Sequence, residues 1–220
     1  MNTKIVNYSK RKALSYAVTL LALPLLSGCL GVVAVGAGAG ALMIVDRRPA
    51  ETQLTDESIE LRTENRINEK FAFKTHINVT SYNRVVLLTG EMPTEAAKME
   101  AEKIAREVPN VKSISNELAV AGASGLGGRS NDSYITSKVK ARFIDANKFA
   151  AAHVKVVTEA GVVFLLGIVN QYEADAAVEI ARTTAGVQKV VRVFEVVSQE
   201  QTQAMDAALR GKPAASPAKP

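Results

Sequence analysis

Cys29 carries the only thiol in this 220-residue chain, directly behind Leu26-Ser27-Gly28. A lone cysteine cannot close an internal disulfide, so the chemistry open to it is covalent modification rather than crosslinking. The other groups with chemical potential are His76 and His153, and a basic, aromatic stretch holding Tyr134, Lys138, Lys140 and Arg142. No metal-ligand spacing, no Gly-x-Ser-x-Gly elbow and no phosphate loop accompanies them. An enzyme is therefore not expected, and the two histidines, at equivalent positions at the mouth of a strand, read as structural.

What stands around Cys29 defines its use. Lys4, Lys10, Arg11 and Lys12 precede an apolar run from Ala13 to Leu26, broken only by Ser15, Thr19 and Pro24. A basic segment followed by an apolar run too short to span a bilayer is a secretory signal, here residues 1–28. Leu-Ser-Gly-Cys at its end resembles the lipobox of bacterial lipoproteins. That resemblance implies diacylglycerol on the Cys29 thiol, cleavage before it, and an N-acyl chain on the new amine. Each buried methylene contributes about 0.8 kcal/mol, so three acyl chains anchor the protein permanently. Leu30, rather than Asp, follows the cysteine; among such lipoproteins this implies the periplasmic leaflet of the outer membrane.

Loss of residues 1–28 removes four bases and no acids, and the formal charge falls from +5 to +1. Such a chain lacks the electrostatic footprint of a nucleic-acid binder. Residues 29–54 then read as an apolar, Gly-rich linker lying on the membrane, ending beyond Asp46-Arg47-Arg48-Pro49.

The elements that follow come twice. His76-Ile77-Asn78-Val79 and Val85 to Gly90 recur 77 residues later as His153-Val154-Lys155-Val156 and Val162 to Gly167. Beyond the glycines the offset is 76, where Lys103 to Arg106 meets Glu179 to Arg182 and Asn110-Val111 meets Gly186-Val187. Each copy reads helix, strand, strand, helix, strand. Tyr82-Asn83-Arg84 and Glu159-Ala160-Gly161 supply hairpin turns, and Gly90 and Gly167 are expected to end the second strand. Ala97, Ala101, Ile104 and Ala105, and Ala177, Ile180 and Ala181, recur at helical spacing; Asn110 and Gly186 suit a left-handed helix end. Last strands are expected over Val111 to Val120 and Val187 to Val197. The fold class is α+β, with two tandem αββαβ units, helices on one face of each small mixed sheet, over residues 55–120 and 131–198. Residues 121–130 read as a Gly-rich hinge, and 199–220 as a disordered tail that a helix could enter from Gln201 to Arg210.

The glycine after an apolar strand, the Ala-rich helix and the Gly-Val before a valine-rich strand resemble the BON domain of bacterial envelope proteins. Two copies behind a lipobox, with Asp46-Arg47-Arg48 and Asn131 to Thr136, resemble the dual-BON outer-membrane lipoproteins of the DolP type. In that family the first helix of the second domain is associated with anionic phospholipid, with an aromatic residue where Tyr134 stands.

The residues agree with that association. Thr55 to Phe73 holds five acids and three bases, whereas Tyr134 to Ile144 presents Lys138, Lys140 and Arg142 without an acid. Ile135, Val139 and Phe143 form the stripe that faces the sheet, and Tyr134, Lys138 and Arg142 an adjoining one. The expected lipid-binding set is Tyr134, Ile135, Lys138, Lys140 and Arg142, acting on a lipid such as phosphatidylglycerol or cardiolipin. The resemblance further implies envelope integrity, enrichment at dividing membrane and support for the outer-membrane assembly machinery. The alternative is a periplasmic scaffold that holds an assembly subunit or a peptidoglycan-linked partner; a pore-forming, hemolysin-like role is a poorer third reading.

Overall fold

A computed structural model describes residues 46–71, 76–122 and 126–209. The described residues all lie within one compact unit, Met43–Pro220. The signal segment, Cys29 and the Gly-rich stretch after it lie outside the described residues, as does the end of the chain from 210. Among the described residues no helix is long and apolar enough to cross a membrane.

The first copy comprises α1 (Ala50–Phe71), β1 (His76–Tyr82), β2 (Val85–Met92), α2 (Glu95–Arg106), β3 (Ser113–Asn116) and β4 (Ala119–Val120). β1 pairs antiparallel with β2, and β3 and β4 pair parallel with β2 in one register. The single strand expected over Val111 to Val120 is thus interrupted. Glu117 and Leu118 leave strand geometry so that Leu118 enters the core, while the Glu117 N–H still reaches Leu88 O at 2.9 Å. The second copy comprises α3 (Leu126–Ala146), a 3₁₀ turn (Ala151–His153), β5 (Lys155–Glu159), β6 (Val162–Val169), α4 (Gln171–Arg182) and β7 (Lys189–Val196). Its sheet runs β5-β6-β7, antiparallel then parallel.

Both hairpins close on two residues of positive φ, Asn83 and Arg84 (50° and 65°) and Ala160 and Gly161 (48° and 76°). This is the turn whose twist matches paired strands. A buried aspartate stabilises each. Asp56 on α1 accepts from the N–H groups of Asn83 and Arg84 at 2.8 and 2.7 Å; Asp132 on α3 accepts from Ala160 and Gly161, both at 2.9 Å. Gly90 and Gly167 do not end their strands but lie inside them, where a Cβ would collide with the carbonyl oxygens of His76 and His153. Strand β1 and the 3₁₀ turn before β5 pass too close for any side chain.

Each sheet packs one face on its helices, with Val86, Leu88, Ala101 and Ala105 in the first core and Val163, Leu165, Ala177 and Ala181 in the second. The opposite faces pack on each other. Tyr82 and Leu87 meet Phe164, Leu166 and Ile168, with Val157, Val191, Val193 and Met205 around them. β2 and β6 are therefore buried on both faces, which is why they read as unbroken apolar runs rather than alternating ones.

Three boundaries move as a result. α3 begins at Leu126, inside the stretch expected to be a hinge, because Asp132 must sit a turn and a half into the helix to reach its turn, as Asp56 does from Ala50. Residues 46–54 belong to the fold rather than to a linker, since Arg47 and Arg48 are held by partners in it. Residues 199–209 are a helix, α5 (Gln199–Leu209), not a disordered segment. Ser198 Oγ accepts from Gln201 N at 3.2 Å while Gln201 Oε1 accepts from Ser198 N at 2.9 Å, a reciprocal cap. Thr202, 1% exposed, then takes a bond from Asn170 Nδ2 at 3.1 Å.

Candidate functional site

α3 packs on β5 with Ile135, Val139 and Phe143, all fully buried. Ile135 therefore belongs to the core and cannot touch lipid, which corrects its place in the expected binding set. Its Cδ1 and Cγ1 fill the space where a Cβ on Gly186 (φ 99°) would have to go. Tyr134, one residue earlier, points outward at 63% exposure, and Lys138 Nζ stands 4.6 Å from its ring centroid. Lys140 is exposed, and Ile144, 66% exposed, lies farther along the helix. Lys148, just past the helix, is exposed as well.

The basic residues do not all serve one purpose. Arg142 is half-buried and donates through Nη1 to Ile180 O at 2.9 Å and Thr184 Oγ1 at 2.8 Å. Lys138 donates to Ala185 O. Both cations sit at the C-terminal end of α4, where unpaired carbonyls and the helix dipole favour positive charge. Arg142→Ala should therefore lower unfolding stability by about 1–2 kcal/mol in urea titration, the worth of a charged hydrogen bond at a helix end. Lys140→Ala should leave it within about 0.5 kcal/mol.

A second polar centre appears at Arg47, which is 5% exposed. Nε donates to Asp206 Oδ1 (2.8 Å), Nη1 to Ile168 O (2.8 Å) and Glu173 Oε2 (2.7 Å), and Nη2 to Glu173 Oε1 (2.8 Å) and Asp206 Oδ2 (2.9 Å). All five guanidinium N–H groups are used, a fork geometry lysine cannot match. Burial alone would push the Glu173 carboxyl up; His153, Arg47 and the Asn170 N–H outweigh it and hold it at about 2. His153 acts across 4.0 Å rather than through a hydrogen bond, and stands 3.7 Å from Asp206. Arg48 pairs with Asp46 and Asp56, both at 2.6 Å, and lies 3.9 Å over the Tyr82 ring. Arg47 thus binds the second copy and Arg48 the first. Nothing in the local sequence marks this clasp, because its partners stand 121 to 159 residues away.

His76 does not share the surroundings of its repeat counterpart. Its Nε2 is 3.9 Å from Glu159 Oε1, and its imidazole, Glu91 and Glu159 bring donor atoms within 4.8 Å of one another. Burial raises the proton affinity of Glu159, against the Asn78 amide bond that lowers it.

An αββαβ unit with a buried aspartate under its hairpin is present twice. The BON domain family model matches residues 55–122 and 131–198, and the chain belongs to that family. Outer membrane lipoprotein DolP of Haemophilus influenzae is 37% identical over 181 residues, covering 81% of this chain and 94% of that relative. The 21 kDa hemolysin of Actinobacillus pleuropneumoniae is 39% identical over 155 residues, 70% of this chain and 80% of the relative. Osmotically-inducible protein Y of Escherichia coli is 37% identical over 119 residues, 53% of this chain and 59% of the relative. Within the family, this is a dual-BON protein of the DolP type.

Proposed function

We propose that the protein is a non-enzymatic outer-membrane lipoprotein, anchored through Cys29 in the periplasmic leaflet, whose α3 face selects anionic phospholipid and so supports envelope integrity. The observation that carries the lipid reading is Tyr134, exposed beside Lys138 with its ring held by the ammonium. An aromatic ring sits at a headgroup boundary while lysines reach phosphates. Arg142 is engaged at α4 through two bonds; Lys138, which gives one bond to Ala185 O and keeps two donors, joins Lys140 and Lys148 as the cations available. At about 1 kcal/mol each near an anionic surface they give roughly 3 kcal/mol, weaker than millimolar alone. The acyl anchor makes the encounter intramolecular, so that affinity is enough to choose among lipids.

The test uses the chain from Asp46 onward, which lacks the acylated cysteine. Tyr134→Ala combined with Lys140→Glu should lower co-sedimentation with phosphatidylglycerol vesicles at least tenfold while leaving the melting temperature unchanged. Equal binding by this variant and the parent would remove α3 as the lipid site.

A second reading, a scaffold for outer-membrane assembly or peptidoglycan-linked partners, is favoured by Leu54 and Leu61 on α1, 67% and 62% exposed one heptad apart. Photo-crosslinkers at Leu61 and Tyr134 in cells separate the two. Lipid adducts at Tyr134 support the first reading, and protein adducts at Leu61 with none to lipid support the second.

A further inference from the structure

The two copies meet in a polar cavity of about 370 Å³ lined by His76, Asn78, Asp132, Thr136, Thr158 and Glu159, with Arg129 and Ser133 at its wall. His76 and Glu91 are directly opposed in the β1–β2 register, so both side chains leave the same face of the first sheet. Glu159 ends β5 of the second copy and reaches them from the facing sheet. Glu91 and Glu159 are 7% and 8% exposed. Two carboxylates from different domains, buried within 4.8 Å of one another, are a high-energy arrangement unless positive charge joins them.

Arg129 stands at the cavity wall, and the Asp132 charge is held by the N–H groups of Ala160 and Gly161. Asn78 Nδ2 donates to Glu159 Oε2 at 2.7 Å, which turns Oε1 toward His76. That is the orienting bond a metal-bound carboxylate normally receives. A further sign is Thr89. It stands two residues before Glu91 on the same face of β2 and opposite Asn78, is 1% exposed, and its hydroxyl has no hydrogen-bond partner among the described residues. An ion's water shell would supply one.

We propose that His76, Glu91 and Glu159 bind a divalent transition-metal ion that ties the two BON domains together. A point between three donors spaced no more than 4.8 Å apart lies within about 2.8 Å of each, and small side-chain rotations bring that to the Zn–N and Zn–O distance of about 2.0–2.2 Å. One imidazole and two carboxylates suit Zn²⁺ or Mn²⁺ better than Mg²⁺, which keeps most of its waters. The cavity side stays open for those waters, and His76, partly exposed, gives the route of entry.

The test is calorimetric titration of ZnCl₂ into the acylated full-length chain in detergent, followed by thermal melts with zinc or magnesium. One zinc per chain at micromolar concentration is expected, raising the melting temperature where equal magnesium does not. Glu159→Gln and His76→Gln, each first shown to melt cooperatively, should each weaken zinc binding at least about tenfold. Zinc uptake that both variants retain, or no uptake by the parent below millimolar zinc, overturns the site.

Discussion

Replacing Arg47 with leucine is expected to destabilise the protein by about 3–5 kcal/mol at pH 7, the cost of leaving a buried charge without its partner. The loss does not equal the worth of five hydrogen bonds, because the ion pair also carries the desolvation of its members. It arises because Glu173, 7% exposed, would keep its charge with its guanidinium partner gone and with Asp206 close by. The Ile168 carbonyl would lose its side-chain partner as well. Urea titration measures the change directly; in a thermal melt it corresponds to a fall of roughly 10 °C. Arg47→Lys should fall between the two, since an ammonium restores the charge but not the planar fork that meets both carboxylates. A leucine variant within 1 kcal/mol of the parent would mean that the clasp contributes little to stability.

The same pair sets an acid limit. Glu173 is held at about 2, against an ordinary value of 4.5. A carboxyl depressed in the folded state stabilises it fully above its unfolded value, and that stability is lost as pH falls from about 4.5 toward 2. A shift of this size is worth roughly 3 kcal/mol. The gap between parent and Arg47→Leu should therefore narrow below about pH 4. A gap that stays constant from pH 7 to pH 3 would assign the destabilisation to lost packing instead.

The hairpins, the helix ends at Asn110 and Gly186, and the doubled αββαβ order were legible because each is a local pattern written twice. Asn110 and Gly186 do adopt positive φ, at 72° and 99°. The contact between the two sheets was also written, in the unbroken apolar runs Val85 to Leu88 and Val162 to Leu166, since a sheet with one wet face would alternate. The Ser198-x-x-Gln201 cap likewise announces α5. The clasp and the His76 cluster were not legible. Arg47 finds Glu173 and Asp206 only after both copies and α5 have folded, and His76, Glu91 and Glu159 come from three strands of two sheets. On α3 the spacing placed Tyr134 and Lys138 on one face correctly. It could not show that Arg142 is drawn to the end of α4, because the carbonyls that hold it belong to another helix.

Asp56→Ala should cost about 3–5 kcal/mol and Asp132→Ala about 1–3 kcal/mol, although the two aspartates occupy the same place in the repeat. Each accepts two backbone N–H groups of a hairpin turn, and alanine leaves those donors facing an apolar gap. Asp56 does more. It also accepts from Ser81 Oγ at 2.6 Å, and it neutralises Arg48, whose guanidinium lies over Tyr82 at the junction with the second copy. Its removal strands a hydroxyl that is 0% exposed and weakens Arg48 at once. Among the described residues Asp132 holds its turn alone, and that turn already contains Gly161, whose φ of 76° needs no help from a side chain. In the first copy Asn83 and Arg84 must both hold positive φ without a glycine. Arg84→Gly should therefore recover part of the stability lost in Asp56→Ala, while Gly161→Ala should deepen the loss in Asp132→Ala. Paired urea titrations of the single and double variants measure both couplings, and strict additivity would show that the aspartates do not act through their turns.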